Sequence, residues 1–128
     1  MKLLLDTHIF LWHITRDPQL PELWRASIED EANEVFLSVV SHWEIAIKYH
    51  LGRLPLPAPP EIFIPEQRRL HKIYSLSLDE RSIEQVASLP PVHRDPFDRI
   101  LICQALAHGL TIVTLDHLFA QYPAPLLK

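Results

Sequence analysis

The sequence predicts an α/β sandwich on a mainly parallel sheet of four to five strands. Three observations predict it. The apolar segments with strand character are short and continuously apolar, as strands buried on both faces are. Stretches with helical periodicity separate them, as crossover connections require. Cap and stop residues mark the junctions, with only Gly52 and Gly109 serving as glycines.

Lys2–Asp6 reads as the first buried strand, because Leu3-Leu4-Leu5 is an unbroken apolar run. A helix is predicted over His8–Thr15, stopped before Asp17-Pro18, and a second over Pro21–Asp30 with Leu23, Trp24 and Ile28 inward. Val35–Val40 reads as the second strand. Ser41-His-Trp-Glu44 then fits the S-x-x-E capping box of a helix to Leu51, with Gly52 as its stop. Leu54–Pro60 holds four prolines in seven residues and reads as a stiff loop. A helix over Glu61–Leu70 and a third strand over Lys72–Leu76 follow. Ser77-Leu-Asp-Glu80 is a second capping-box pattern, opening a helix to Ser88 that Pro90-Pro91 ends. Asp95 is placed to cap a helix with Pro96 in its first turn, running to His108. Thr111–Thr114 is the fourth strand, and Leu126-Leu127 a short fifth.

One domain spanning 1–128 accommodates all of this, without an internal repeat. The apolar runs are too short to cross a bilayer. An acid arrives at position six, leaving no room for a secretory apolar region, so the cytoplasm is the expected location. The single cysteine, Cys103, excludes an internal disulfide and a cysteine-based zinc site, and reads as core filling. No nucleophile-elbow or glycine-rich phosphate loop is present.

Four carboxylates lie beside the apolar runs. Asp6 ends the first strand, Asp116 follows the fourth, Glu44 comes just after the second, and Asp98 opens the helix before the fourth. Ligands of parallel sheets bind outside the carboxyl ends of the strands. Two like charges about 4 Å apart repel by roughly 4 kcal/mol at an effective dielectric near 20. Such a gathering points to a divalent cation, and a carboxylate-rich set suits Mg²⁺ or Mn²⁺. Each acid also has an ordinary use: Asp6 and Asp116 as caps, Glu44 as partner of Ser41 or Lys48, Asp98 on a helix dipole. Asp95 is explained by its cap. His8, His42 and His117 neighbour the acids and raise a zinc alternative, but no H-E-x-x-H pattern accompanies them. Thr7, Ser41 and Thr114 are placed to orient carboxylates or water. Arg94 and Arg99 fit either ion pairs with Asp95 and Asp98 or a substrate phosphate. Trp12 and Trp24 read as core.

The net charge of −4 disfavours a tight, extended, non-specific nucleic-acid binder, although two bound Mg²⁺ would bring the total to zero.

Leu4-Leu-Asp-Thr-His8, Ser41-His-Trp-Glu-Ile-Ala-Ile-Lys48, His93-Arg-Asp-Pro-Phe-Asp-Arg99 and Thr111-Ile-Val-Thr-Leu-Asp116 together resemble the PIN domain. More narrowly they resemble the VapC-type toxin ribonucleases of bacterial toxin–antitoxin pairs. The resemblance implies a three-layer PIN fold with strand order 3-2-1-4-5 and an acidic site at Asp6, Glu44, Asp98 and Asp116. Metal ligation falls to Asp6, Asp98 and Asp116, with one or two Mg²⁺ or Mn²⁺. It further implies RNA as substrate, a homodimer, and silencing by a cognate antitoxin. Where many members have Asn two residues after the first Asp, this chain has His8. Two other functions remain open from the residues: a PIN-like binding module without catalysis, and a metal-dependent phosphatase, though no Asp-x-Asp motif stands near Asp6.

Overall fold

The first strand is central, and Leu3, Leu4 and Leu5 are all fully buried in it. In the computed structural model, which describes residues 1–128, β1 (Lys2–Leu5) lies between β2 (Glu34–Ser38) and β4 (Thr111–Val113), with β3 (Tyr74–Leu76) beyond β2. All pairings are parallel, and Leu4 stands opposite both Phe36 and Ile112. The order β3-β2-β1-β4 is the one the resemblance implied.

Parallel strands need crossovers, and six helices supply them: α1 (Thr7–Thr15), α2 (Glu22–Glu29), α3 (Val39–His50), α4 (Pro60–Leu70), α5 (Glu80–Glu84) and α6 (Pro96–His108). Alternation along β1 sends side chains to opposite faces. Leu3 and Leu5 join Ile9, Phe10, Ile28, Ile45 and Ile64 on one face. Leu4 joins Leu101, Ile102, Cys103, Ile112 and Phe119 on the other. Each fully buried Leu contributes about 1.5–3 kcal/mol of transfer free energy. A strand covered on both faces must therefore be apolar throughout.

Several boundaries differ from expectation. Ser38, not Ser41, caps α3: its hydroxyl accepts from the Val40 N–H, so β2 ends two residues early and the expected Ser41–Glu44 capping box does not form. Ser41 and Glu44 sit one turn inside the helix, free to face α1. Asp79, not Ser77, caps α5, which lasts five residues before a 3₁₀ turn over Gln85–Ser88. Lys72 adopts a left-handed φ of 56° and turns the chain, delaying β3 to Tyr74. β4 stops at Val113. The fifth strand is reduced to one bridge, Leu126 against Ile112, because Pro123 and Pro125 have no N–H to donate. On α2, Leu23 points outward and Arg25 is buried beside Ile28, its guanidinium donating to the His13 and Asp17 carbonyls at the end of α1.

One buried polar connection ties α3 to α6. Ser38 Oγ donates to Gln104 Oε1 (2.6 Å), and Gln104 Nε2 donates to the Ser77 carbonyl (3.1 Å). Ser38→Ala removes a cap and leaves Gln104 one partner short. It should lower stability by about 1 kcal/mol. Urea denaturation reads this; an unchanged midpoint would remove Ser38 from both roles.

Candidate metal and active site

The carboxyl ends of β1 and β4 are neighbours in the sheet, so the residues that follow them meet. Asp6 caps α1, with Oδ1 accepting from the Thr7 N–H (2.8 Å), while its Oδ2 accepts from the Thr114 hydroxyl (2.8 Å) just past β4. The bland use of Asp6 as a cap and its place at the rim are thus both realised. Thr114 Oγ1 in turn accepts from the Asp116 N–H. Thr7 Oγ1 lies 2.8 Å from Glu44 Oε1 and 2.9 Å from Ser41 Oγ, and with one proton it donates to a single partner at a time. The charged carboxylate is the better acceptor. Glu44 also takes the Lys48 ammonium one turn on (2.9 Å), the i,i+4 pair the sequence offered.

Asp98 enters from the first turn of α6, whose N-terminus is fixed by Asp95 Oδ1 accepting from the Phe97 N–H (2.9 Å). Burial pushes the Asp98 carboxyl up to about 7, and the nearby negative charges of Asp6, Asp95 and Glu44 push the same way against the opposing pull of His93. The Asp6 carboxyl is also raised, chiefly by burial, against the lowering effect of Thr114, Thr7 and His8, with Glu44 adding to the rise. Asp116 goes the other way. Burial raises it, but the hydrogen bonds from His93 and from the Leu118 N–H, with His117 nearby, together hold it below the usual carboxylate range. Two acids that resist ionisation beside one that favours it describe a site short of positive charge.

Ligand atoms of His93, Asp98 and Asp116 lie within 4.8 Å of one another, close enough to share one cation. Asp6 falls outside that trio but couples to Asp98 through charge. Asp95 is exposed and spent on its cap. Arg99 forms no ion pair with Asp95 or Asp98; its Nη1 donates to the Pro90 carbonyl (2.9 Å). None of His8, His42 and His117 belongs to the trio. His93 is the residue sequence reasoning passed over as a group with its own role: its only signal was its place at the head of the His93–Arg99 segment.

The donor set fits a hard divalent ion. Its carboxylates are oxygen donors, and a cation would relieve the charge that raises Asp98 and Asp6. No helix is long and apolar enough to cross a membrane.

The PIN domain family matches residues 3–125 of this chain. Ribonuclease VapC16 of Mycobacterium tuberculosis is 44% identical over 55 residues, a match covering 43% of this chain and 39% of that relative's length. Ribonuclease VapC22 of the same organism is 24% identical over 123 residues, covering 95% of this chain and 92% of the relative. The crystal structure of VapBC2 from Rickettsia felis, bound to a DNA fragment from their promoter, superposes with a TM-score of 0.73 at 16% identity. That superposition covers 100% of this chain and 98% of the other.

Proposed function

The chain belongs to the PIN domain family, and from that premise we propose that it is a VapC-type ribonuclease, the toxin of a type II toxin–antitoxin pair. All of 1–128 serves as one domain that hydrolyses RNA phosphodiester bonds with Mg²⁺ or Mn²⁺. The observation that carries this reading is the convergence of acids from separate segments. Ligand atoms of Asp98 and Asp116 lie within 4.8 Å of one another, and the charges of Asp6, Asp95 and Glu44 are near enough to help raise the Asp98 carboxyl. A protein gains nothing in stability from crowding these acids, so a cation is the economical reason for it.

Asp6, Asp98 and Asp116 are assigned to hold one or two ions, with Glu44 closing the acidic ring. The bound cation supplies positive charge to the scissile phosphate and lowers the pKa of the attacking water. The protein's own part is orientation. Thr114 fixes one oxygen of Asp6 while the Thr7 N–H fixes the other. The Thr7 hydroxyl, with Ser41 Oγ beside it, aims one oxygen of Glu44, and Lys48 anchors the second.

The partners are RNA, a cognate antitoxin and a second copy of the chain. Support for self-association comes from α3 and its C-cap, where Val39, Trp43, Ile47 and the capping Leu51 recur every four residues and are all exposed. That apolar stripe is what one helix offers another. Support for the antitoxin comes from the VapBC2 likeness.

The test is the chemistry of the cut ends. Incubation with RNA and Mg²⁺ or Mn²⁺ should leave 5′-phosphate and 3′-hydroxyl ends. A 2′,3′-cyclic phosphate would overturn water as the nucleophile. Turnover of a phosphomonoester with RNA untouched would move the assignment to a phosphatase.

A further inference from the structure

We propose that Tyr122 and His93 act as a positioning pair for Asp116, with His93 serving as a hydrogen-bond donor and not as a metal ligand. The consequence for metal binding rests on the reading above.

The hydrogen-bond inventory around Tyr122 decides the matter. Its hydroxyl is buried and accepts from the His93 backbone N–H (2.9 Å). The hydroxyl's own proton then needs an acceptor, and His93 Nδ1 stands at 3.0 Å. A ring nitrogen that accepts carries no proton, so in the neutral imidazole the proton sits on Nε2. That nitrogen lies 2.9 Å from Asp116 Oδ2, to which it donates. A metal would require the lone pair that this proton occupies.

The ring is also held from both sides. Tyr122 stacks on it with centroids 5.4 Å apart, and Phe119 meets it edge-on at 4.8 Å. Asp116 receives a second donor, the Leu118 N–H, on Oδ1 (3.0 Å). With one fixed donor per oxygen the carboxylate plane cannot rotate, and each oxygen keeps a lone pair for a cation. The 3₁₀ turn His117–Gln121 separates Asp116 from Tyr122, so one short segment supplies both the carboxylate and the group that sets its imidazole. His93 itself comes from the loop leading into α6. It therefore stitches the end of β4 to the segment that delivers Asp98.

The tautomer can be read without metal or RNA. A long-range ¹H–¹⁵N spectrum of the metal-free protein should show the His93 proton on Nε2; a proton on Nδ1 would overturn the pair. Mn²⁺ titration followed by EPR gives the second reading. His93→Ala should weaken binding about 10–100-fold, as loss of a ligand-orienting partner does, and His93→Gln, which keeps an N–H donor, should recover most of it. Gln performing no better than Ala would assign His93 to packing only. Pulsed EPR of the Mn²⁺-loaded wild type should lack ¹⁴N coupling from a ligated imidazole. Such a coupling, abolished in His93→Gln, would make His93 a ligand and end the proposal while leaving the ribonuclease reading intact. Bound Mn²⁺ with Nε2 protonated but no RNA cleavage would do the reverse. Failure to bind Mn²⁺ at all would sink both.

Discussion

Asp98→Asn should abolish RNA cleavage, by about 10³-fold or more, while making the metal-free protein more stable at pH 8. The activity loss follows from removing one carboxylate from a site whose cation contributes several kcal/mol to the transition state, about 4 kcal/mol corresponding to 10³-fold. The stability gain follows from the electrostatics. At pH 8 the wild-type side chain is ionised against burial and against Asp6, Asp95 and Glu44, and an amide of the same shape escapes all of these. Asp6→Asn should match it in lost activity without the gain. Both oxygens of Asp6 accept hydrogen bonds, from Thr7 and Thr114, and an amide can accept through only one. The pair of variants separates charge from structure. Assays on RNA with Mg²⁺, beside thermal melts of each metal-free protein, are sufficient. An Asp98→Asn protein that cleaves RNA at the wild-type rate would remove the acid from the chemistry.

A buried first strand with Asp6 at its rim was legible because Leu3-Leu4-Leu5 is unbroken and an acid follows it, whereas the strand order came from the family resemblance alone. The unbroken run requires a strand covered on both faces with a polar rim. Glu44 reaches Thr7 of the first helix, a contact that the expected Ser41 capping box did not anticipate. The S-x-x-E spacing at Ser41 has the form of a cap, but a serine three residues earlier competes for the same job. Ser38 prevails because its hydroxyl also reaches Gln104, a contact across 66 residues that no local pattern reveals. Leu23 was misplaced for a similar cause: α2 buries Arg25, whose guanidinium finds backbone carbonyls at the end of α1. His93 illustrates the same limit at the site. Its function depends on Tyr122, 29 positions away, and imidazole chemistry is decided by the partner of each nitrogen. Composition and spacing carry no information on that.

The stability that Asp98 contributes to the metal-free protein should be lost as pH rises from about 4 to 7, and Mg²⁺ should restore stability at the upper end. Asp98 sets the sign. Its folded pKa of about 7 lies above the ordinary 3.8, so between those values the folded chain keeps a proton the unfolded chain has released. Stability from this group is full below the ordinary value and is lost as pH climbs through the folded one. Three pKa units correspond to about 4 kcal/mol; with the carboxyl partly open to solvent, about 2 kcal/mol is the expected size, or roughly 5–10 °C in melting temperature. Asp6, raised in the same direction, adds to the trend. His13 opposes it. Buried beside Arg25 and His71, its imidazole is lowered to about 4, chiefly by desolvation, so the unfolded chain binds the extra proton between about 4 and 6.5. Its contribution is full above that window and lost as pH falls through it. A wild-type curve sums the two and can look flat. The wild-type minus Asp98→Asn difference cancels His13 and should fall steadily from pH 4 to pH 7. Mg²⁺ at 100 times its dissociation constant should then raise wild-type stability by about 2.7 kcal/mol at pH 8. At pH 4.5, where the proton occupies Asp98, it should do far less. A flat difference curve, together with melts indifferent to Mg²⁺ at pH 8, would show that these acids neither strain one another nor share a cation.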